Sequence, residues 1–159
     1  MPAKSRKNGA AEVAVNKKAF RNFEIEDRLE AGMELLGSEV KSLRTGQADL
    51  AGSYARVING QCWLVGAKIA QYQMRGLTGH NPTRKRKLLL HKHEIRKIYT
   101  KLEQRGFTLV PLRIYFNNKG IAKIEIALAR GKRKYDKRQA ITEREQKKVV
   151  EKRMKKYRR

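Results

Sequence analysis

The sequence predicts a mainly β fold with helices: a small closed antiparallel barrel that ends in a basic C-terminal tail. Two observations carry this prediction. About six short stretches alternate apolar and polar residues between turn signals, as strands with one wet face do. Closing such strands into a barrel removes the exposed sheet edges. After Ala129 the alternation stops and charged residues dominate.

The chain is predicted to begin with a disordered basic arm and to continue as a strand. Residues 1–15 mix Lys, Arg, Asn and Gly with small residues and show no periodicity. Phe23, Ile25 and Leu29 then alternate with polar residues, which predicts a strand with one wet face. Gly32 predicts a bulge or bend, after which the strand resumes.

A short helix is predicted between Gly37 and Gly46. Ser38 is expected to cap its N-terminus, and Glu39 suits the positive end of the helix dipole. One face of this helix carries two cations, Lys41 and Arg44.

The strongest local signal is the pair Asn59-Gly60, which tolerates the positive φ of a two-residue hairpin turn. It predicts a hairpin between residues 54–58 and residues 61–69. Cys62 lies in the second of these strands and is interpreted as a buried, unreactive thiol. It is the one cysteine of the chain, so no disulfide forms within it, which fits a reducing cytoplasm.

An amphipathic helix and two further strands follow. The helix is predicted from apolar residues at i, i+3, i+4 and i+7, which are Ile95, Ile98, Tyr99 and Leu102. Gly106 ends it. Residues 107–116 and 121–128 alternate as strands, and Pro111 marks a bulge or an edge in the first of them.

A basic run lies between the hairpin and this helix. Gly79 and Asn81-Pro82 predict a loop, and residues 87–90 predict a strand. Four adjacent cations repel one another, so this run favours a phosphate backbone alongside it; they are Arg84, Lys85, Arg86 and Lys87. A solvated charge run is the alternative interpretation.

The whole chain has the same bias towards positive charge. Its 159 residues include 39 Lys and Arg against 15 Asp and Glu, a formal net charge of +24. Such a field concentrates polyanions without identifying which one. No apolar run is long enough to cross a bilayer, and the first fifteen residues lack the apolar centre of a signal peptide. We therefore expect a cytoplasmic protein.

The tail, residues 130–159, carries 15 Lys and Arg and four Asp and Glu, a net charge of +11. Its apolar residues are too few for a core, so coil is expected in the free chain. Thr142 and Glu145 nevertheless have capping-box spacing, and Val150, Met154 and Tyr157 form a thin stripe. These features predict a tail that folds into a helix against an anionic partner.

No catalytic constellation is found in the sequence. His91 and His93 suggest a metal pair only weakly, because neither Cys nor a carboxylate lies at ligand spacing. No phosphate-cradling glycine motif is present, and the carboxylates near Glu24 fall on a wet strand face. We expect no enzyme activity, no metal and no cofactor.

Five separated motifs identify a family that the chain resembles. They are Asn16 to Ala19, Glu30-Ala31-Gly32, the residues 37–44 (GSEVKSLR), the residues 81–90 (NPTRKRKLLL) and Asp136-Lys137-Arg138. In this order they resemble the small protein B family, the bacterial tmRNA-binding or SsrA-binding proteins. The resemblance covers about residues 12 to 159.

The resemblance implies a barrel like the oligonucleotide-binding fold that holds the tRNA-like domain of transfer-messenger RNA. It implies delivery of that RNA to stalled ribosomes for trans-translation, together with elongation factor Tu, and a monomer that acts without a membrane. The family tail is expected to occupy the empty message channel near the decoding centre. The domains are then residues 1–15, the RNA-binding barrel 16–129 and the tail 130–159.

The resemblance and the charge pattern together give two sets of candidate residues. The RNA-binding set is Asn16, Lys17, Lys18, Glu30, Lys41, Arg44, Arg84, Lys85, Arg86, Lys87, Leu89 and Lys123. The set for the ribosome is Gly131, Lys132, Tyr135, Asp136, Lys137, Arg138 and Met154. Many family members have His where this chain has Tyr135, so stacking is kept and the imidazole charge is lost.

Two other interpretations remain. A ribosomal or general RNA-binding protein shares the charge and the barrel, although it needs no tail that encodes a separate helix. A membrane-surface protein can use a basic tail, although the apolar stripe here is thin and lacks Trp and Phe.

Overall fold

A computed structural model describes residues 11–72, 79–132 and 134–157 of the chain. Within these residues, nine strands and four helices follow one another. They are β1 (Ala11–Val15), α1 (Lys17–Asn22), β2 (Phe23–Met33), α2 (Gly37–Arg44), β3 (Ala48–Asp49), β4 (Tyr54–Ile58), β5 (Gln61–Val65), β6 (Lys68–Ile69), β7 (Arg86–Leu89), α3 (Lys92–Leu102), β8 (Phe107–Phe116), β9 (Ala122–Gly131) and α4 (Lys134–Tyr157).

Six strands form a closed antiparallel ring. They are hydrogen-bonded in the order β8, β4, β5, β7, β2 and β9, and β9 pairs again with β8. Strand β1 joins the same edge of β8 as β4, and β3 and β6 form a separate two-stranded sheet. The ring leaves no edge among its six strands, which removes the usual risk of edge-to-edge association. The predicted mainly β fold with helices is confirmed.

The main core fills the inside of the ring. Leu64 of β5, Leu109 of β8 and Ile124 of β9 are fully buried there, together with Leu43 of α2 and Ile98 of α3. Each such side chain contributes about 1.5–3 kcal/mol of burial before entropy is counted. Both helices therefore pack against the ring through an apolar side chain that joins its core.

A second apolar cluster lies on the outside of β8 and β9. Ala19 of α1 packs there against Val110, Leu112, Ala127 and Ala129. Because Ile126 and Leu128 point into the ring, the alanines between and after them point outwards. Helix α1 thus covers one end of this outer face and leaves the other end open.

The N-terminal predictions were partly wrong. Ala11–Val15 is a strand paired with β8, whereas disorder was predicted for residues 1–15; residues 1–10 of that arm lie outside the described residues. Lys17–Asn22 is helical, because Asn16 caps it and Ala19 has an apolar surface to cover. The predicted break at Gly32 is absent from β2, and the bulge lies between Ile25 and Asp27.

Several local predictions are confirmed. Asn59 and Gly60 have φ of 49° and 72° in the turn between β4 and β5. The register of β8 shifts between Pro111 and Arg113, where a bulge was expected. Helices α2 and α3 lie where predicted, but Ser38 does not cap α2. The strand predicted over residues 61–69 is two strands, because Gly66 turns the chain with φ of 78°.

The boundary between the ring and the tail lies later than Ala129. Strand β9 continues to Gly131, which pairs with Phe23, and the backbone N–H of Lys132 donates to the carbonyl of Asn22 at 2.9 Å. The structure describes Lys134–Tyr157 in its helical form. That coil predominates in the free chain stays a prediction. In the described part of the chain, no helix is long and apolar enough to cross a bilayer.

Candidate RNA-binding surface

One row of side chains crosses the outer face of the ring from β7 to β8. Gly32 in β2 lies opposite Leu89 in β7 on one side and opposite Lys123 in β9 on the other, and Lys123 lies opposite Tyr115 in β8. The neighbours of these residues, such as Leu88 and Ile124, are buried inside the ring. Strand alternation therefore directs the whole row outwards.

Gly32 leaves a gap between the side chains of this row. A Cβ atom at Gly32 would lie 3.3 Å from the Cβ and 3.4 Å from the Cδ1 of Leu89. The absent side chain lets Leu89 lie against the strand, where it stays 53% exposed. Leu89 is thus an outward apolar residue, and core packing is not its role.

Glu30 lies beside this row and is held from two sides. The Tyr115 hydroxyl donates a hydrogen bond to Oε2 of Glu30, and Nζ of Lys123 lies 3.9 Å from Oε1. Burial, and then this hydrogen bond to the carboxylate, raise the pKa of Tyr115, so it remains a donor. The Glu30 side chain is still 55% exposed, so acceptor positions on its carboxylate remain open to a ligand.

A chain of ion pairs fixes the strands next to Glu30. Glu125 in β9 lies opposite Glu30 and accepts from Nε of Arg113 at 2.6 Å, and Arg28 lies 3.7 Å from it. Arg113 also donates to Glu12 of β1 at 3.0 Å. The carboxylates of Glu12 and Glu125 are thus paired with the guanidinium groups of Arg28 and Arg113. The carboxylate on this face that is most available to accept a hydrogen bond from a ligand is therefore that of Glu30.

The structure corrects the interpretation of the basic run. Arg86 is fully buried, and its Nε donates to Oε1 of the buried Glu39 at 2.9 Å. Arg84 donates to both carboxylate oxygens of Glu39, at 2.8 and 2.5 Å. The buried guanidinium of Arg86 is closed to phosphate, and that of Arg84, whose side chain is 29% exposed, is already held by Glu39. Alternation along β7 instead places Lys87 half-buried on the outer face, and Lys85, just before this strand, is exposed.

Glu39 is ionised although it is buried. Burial alone would raise its pKa, but hydrogen bonds from Arg84 and from the N–H of Leu36, with the charge of Arg86, outweigh that effect and lower the pKa. Arg86 also donates to the carbonyls of Ala67 and Pro82, at 2.9 Å each. This cluster joins α2 to β7 and to the loop before it, which is a structural role.

Asn16 is also structural. It is buried, its Nδ2 donates to the carbonyls of Pro111 and Leu50, and its Oδ1 accepts from the N–H of Ala19 as a helix cap. The resemblance implied a position facing RNA, but these contacts occupy its side chain. Lys17 and Lys18, the next two residues, are exposed on α1.

The two cations of α2 are exposed, as predicted. Nζ of Lys41 lies 5.9 Å from the centre of the Tyr72 ring, and the guanidinium of Arg44 lies 5.9 Å from the centre of the Phe116 ring. Phe116 follows Tyr115 in β8, so Arg44 lies near one end of the row. These contacts keep two positive charges at the surface.

A comparison with protein families shows to which family the chain belongs. The model described as SmpB protein matches residues 13–156, which is most of the chain.

The chain belongs to the SmpB family.

Two relatives show how far the similarity extends. An SsrA-binding protein of Sulfurihydrogenibium sp. (strain YO3AOP1) is 53% identical over 140 residues, which cover 88% of this chain and 91% of the relative. An SsrA-binding protein of Chlorobaculum tepidum is 47% identical over 156 residues, which cover 96% of this chain and 99% of the relative.

A solved structure shows the same fold. It is described as "tmRNA-SmpB: a journey to the center of the bacterial ribosome", and one of its chains is 47% identical to this chain with a TM-score of 0.66. The match covers 83% of this chain and 94% of that one. The family predicted from five motifs is confirmed.

Of the candidates for the SmpB tail, three are described with their surroundings. Gly131 has no atom within 4 Å of an added Cβ, Lys132 is half-buried beside α1, and Met154 is 67% exposed on α4. The backbone of four others lies in α4, and their side chains lie outside the described residues: Tyr135, Asp136, Lys137 and Arg138. Their roles stay predictions.

The histidines and the cysteine have ordinary surroundings. His80 is buried, donates from Nε2 to the carbonyl of Ile69 at 3.0 Å and pairs with the Ser38 hydroxyl at 2.9 Å. His91 and His93 stack with ring centres 5.5 Å apart. Burial raises the pKa of the Cys62 thiol to about 11. Among the residues that the structure describes, no group of three His, Cys, Asp or Glu is arranged to hold a metal.

Two residues of this site are not predicted from the sequence. Tyr115 lies in an alternating strand like any other aromatic, and its hydrogen bond to Glu30 joins positions 85 residues apart. Gly32 was interpreted as a break because glycine in a strand marks either a bulge or a close approach. A close approach could have been predicted only from the pairing of residues 30–32 with the three leucines at 88–90. These two segments are distant in sequence, and no local pattern shows that they pair.

Proposed function

We propose that this chain binds the tRNA-like domain of transfer-messenger RNA and delivers that RNA to stalled ribosomes for trans-translation. One observation supports it best. Glu30, Leu89 and Lys123 come from three separated parts of the chain, and they lie together on the outer face of β7, β2 and β9. The relatives named above are SsrA-binding proteins, and the similar solved chain is part of a tmRNA-SmpB complex.

The chemistry of this face suits folded RNA. Folded RNA is recognised by its shape, its backbone and its unstacked bases rather than through its deep major groove. Lys123 supplies a charge for phosphate, Leu89 supplies an apolar contact for an unstacked base, and Glu30 accepts from a base or from a ribose hydroxyl. The six-stranded ring would serve as a rigid platform of the oligonucleotide-binding type.

The carboxylate is the most informative of the three. On a chain with a formal charge of +24, a carboxylate weakens general attraction to RNA, so its benefit must be a directed hydrogen bond. Glu30 is oriented for this purpose by Tyr115 and Lys123. Specificity for one RNA should therefore depend on Glu30 more than total affinity does.

The tail would act at a later step. Residues 130–159 carry a net charge of +11, and α4 exposes Val150 and Met154, two residues of the thin apolar stripe that the sequence predicts. Ribosomal RNA walls would neutralise this charge and stabilise the helix. We place the tail in the empty message channel near the decoding centre, and we expect a cytoplasmic monomer that acts with elongation factor Tu and catalyses no reaction itself.

The test compares two matched carboxylate changes in the same strand. Glu30→Gln removes the charge at the proposed site, and Glu24→Gln removes an exposed charge about 20 Å away along β2. Affinity for the isolated tRNA-like domain is measured by filter binding with bulk tRNA as competitor. Glu30→Gln should lower discrimination about tenfold or more, as for a hydrogen bond to a charged group.

Glu24→Gln should leave discrimination unchanged or slightly raise total affinity. Equal behaviour of the two variants would show that the carboxylate of Glu30 does not contact the RNA. Failure of the unaltered protein to prefer the tRNA-like domain over bulk tRNA would overturn the proposed function itself.

A further inference from the structure

A second part of the outer face has the chemistry of a nucleotide-binding surface. Trp63 in β5 lies opposite Arg56 in β4 on one side and opposite Lys87 in β7 on the other. Its neighbours Cys62 and Leu64 are fully buried inside the ring, so Trp63 points outwards, where it is half-buried. An indole in this place adds little to the core.

The cations around Trp63 lack acidic partners. Among the described residues, no carboxylate oxygen lies within 4 Å of a side-chain nitrogen of Arg56, Lys85 or Lys87. Other cations of the ring are paired; Arg113 reaches both Glu12 and Glu125. Like charges left unpaired beside one another favour an anionic ligand.

A groove runs beside the indole. It is lined by Ile58, Asn59, Gln61, Trp63 and Lys85. Its apolar wall comes from Trp63 and Ile58, and its amide groups come from the hairpin turn and the start of β5. A ring face, an aliphatic wall and amides beside positive charge are what an unstacked base with its phosphates requires.

The groove is continuous with the RNA-binding face already proposed. Lys87 and Leu89 alternate outwards along β7, the exposed Lys85 lies just before this strand, and Leu89 begins the row that reaches Lys123. We propose that Trp63 stacks on an unstacked base of the bound RNA while Arg56, Lys85 and Lys87 contact its phosphates. This inference rests on the proposed function and extends the RNA contact across β5 and β4.

The chain supplies its own reporter, because Trp63 is its one tryptophan. The full-length protein is titrated with the isolated tRNA-like domain, and Trp fluorescence is followed beside filter binding. Stacking on a base should quench the fluorescence, with a midpoint equal to the dissociation constant from filter binding. RNA that binds on filters without changing the fluorescence would overturn this inference and leave the proposed function standing.

Two substitutions separate stacking from bulk. Trp63→Leu should weaken binding about 10-fold, a typical loss for one base stacked on an aromatic ring. Trp63→Phe keeps a ring and should recover most of that loss. Equal binding by the Leu and Phe variants, both with unchanged thermal unfolding, would show that no base stacks here.

Charge is tested with matched triple variants. Arg56→Ala, Lys85→Ala and Lys87→Ala together should lower the slope of log affinity against log salt by about two. The control removes three exposed cations on and just after α3, Lys92, Arg96 and Arg105. An equal slope in the two variants would show that total charge, rather than this groove, holds the RNA.

No binding by the unaltered protein in either assay would overturn the proposed function. It would also overturn the inference about Trp63, because the inference requires this RNA as the ligand.

Discussion

The hydroxyl of Tyr115 in β8 donates to the carboxylate of Glu30 in β2, across the strand that separates them. Strand β9 lies between the two, so the Tyr115 and Glu30 side chains together span about 10 Å of sheet. The long side chain of tyrosine is suited to this span, and its raised pKa keeps the proton on the hydroxyl. Glu30 is therefore oriented by a partner far away in sequence.

Tyr115→Phe should lower discrimination between the tRNA-like domain and bulk tRNA about fivefold, since one hydrogen bond that orients Glu30 is lost. The unfolding temperature should stay within a few degrees, because the ring itself remains. Competition binding measures the first quantity and calorimetry the second. Tyr99→Phe, which removes an exposed hydroxyl on α3, is the control. If both phenylalanine variants discriminate normally, Tyr115 does not position Glu30.

Gly32→Ala should weaken RNA binding through Leu89. The added Cβ would lie 3.3 Å from the Cβ of Leu89, so this exposed side chain must move by a few tenths of an ångström. Stability should change by less than about 1 kcal/mol, because Leu89 is free to shift into solvent. Urea unfolding and filter binding measure the two effects. Normal binding with normal stability would show that the exact position of Leu89 is unimportant.

Much of the fold was predictable from local signals, and the error at the N-terminus has a clear physical source. The hairpin at Asn59-Gly60, the helix around Ile98 and the bulge at Pro111 depend on neighbouring residues, and all three are present. The helix at Lys17–Asn22 depends on Asn16 bonding to the carbonyls of Leu50 and Pro111, which are distant in sequence. Tertiary partners of this kind are not visible in a local pattern.

The basic run shows the same limit within the site. Four adjacent cations predicted phosphate contacts, but Arg84 and Arg86 bind Glu39, and only the two lysines between and after them are left outside this cluster. Glu39 does serve the N-terminus of α2, as predicted, by accepting from the N–H of Leu36, but its two arginine partners lie more than 40 residues away and were not foreseen. Leu89 and Lys123 came from the family resemblance, and no local pattern identified them.

Glu39→Gln should destabilise the fold by about 3–5 kcal/mol, since it leaves two guanidinium groups with a neutral partner, one of them fully buried. The folded-state pKa of Glu39 is below its ordinary value of 4.5. Its contribution to stability is therefore complete above pH 4.5 and is lost as the pH falls through the folded-state pKa. Urea unfolding at several pH values measures this dependence.

The Gln variant should lose less stability than the unaltered protein as the pH falls below 4.5. Glu34→Gln, an exposed change before α2, is the control and should follow the unaltered protein. Parallel pH profiles for all three proteins would show that Glu39 does not contribute to acid unfolding.

The tail prediction separates RNA binding from ribosome rescue. Because β9 continues to Gly131 and Lys132 donates to Asn22, a truncation that spares the ring must follow Lys132 rather than Ala129. Such a chain keeps Glu30, Leu89 and Lys123, so its affinity for the tRNA-like domain should fall less than about threefold. Tagging of peptides on messages without a stop codon should be abolished.

The same tail should be mostly coil before it meets the ribosome. Helices in proteins are stabilised mainly by packing of an apolar face, whereas the described apolar side chains of α4 are exposed, and the high density of positive charge along the helix adds repulsion. Far-ultraviolet circular dichroism of the full chain minus that of the truncated chain should therefore show little helix at low salt, and more when a polyanion is added. A fully helical difference spectrum at low salt would show that α4 is preformed. Full tagging by the truncated chain would show that the tail is dispensable for rescue.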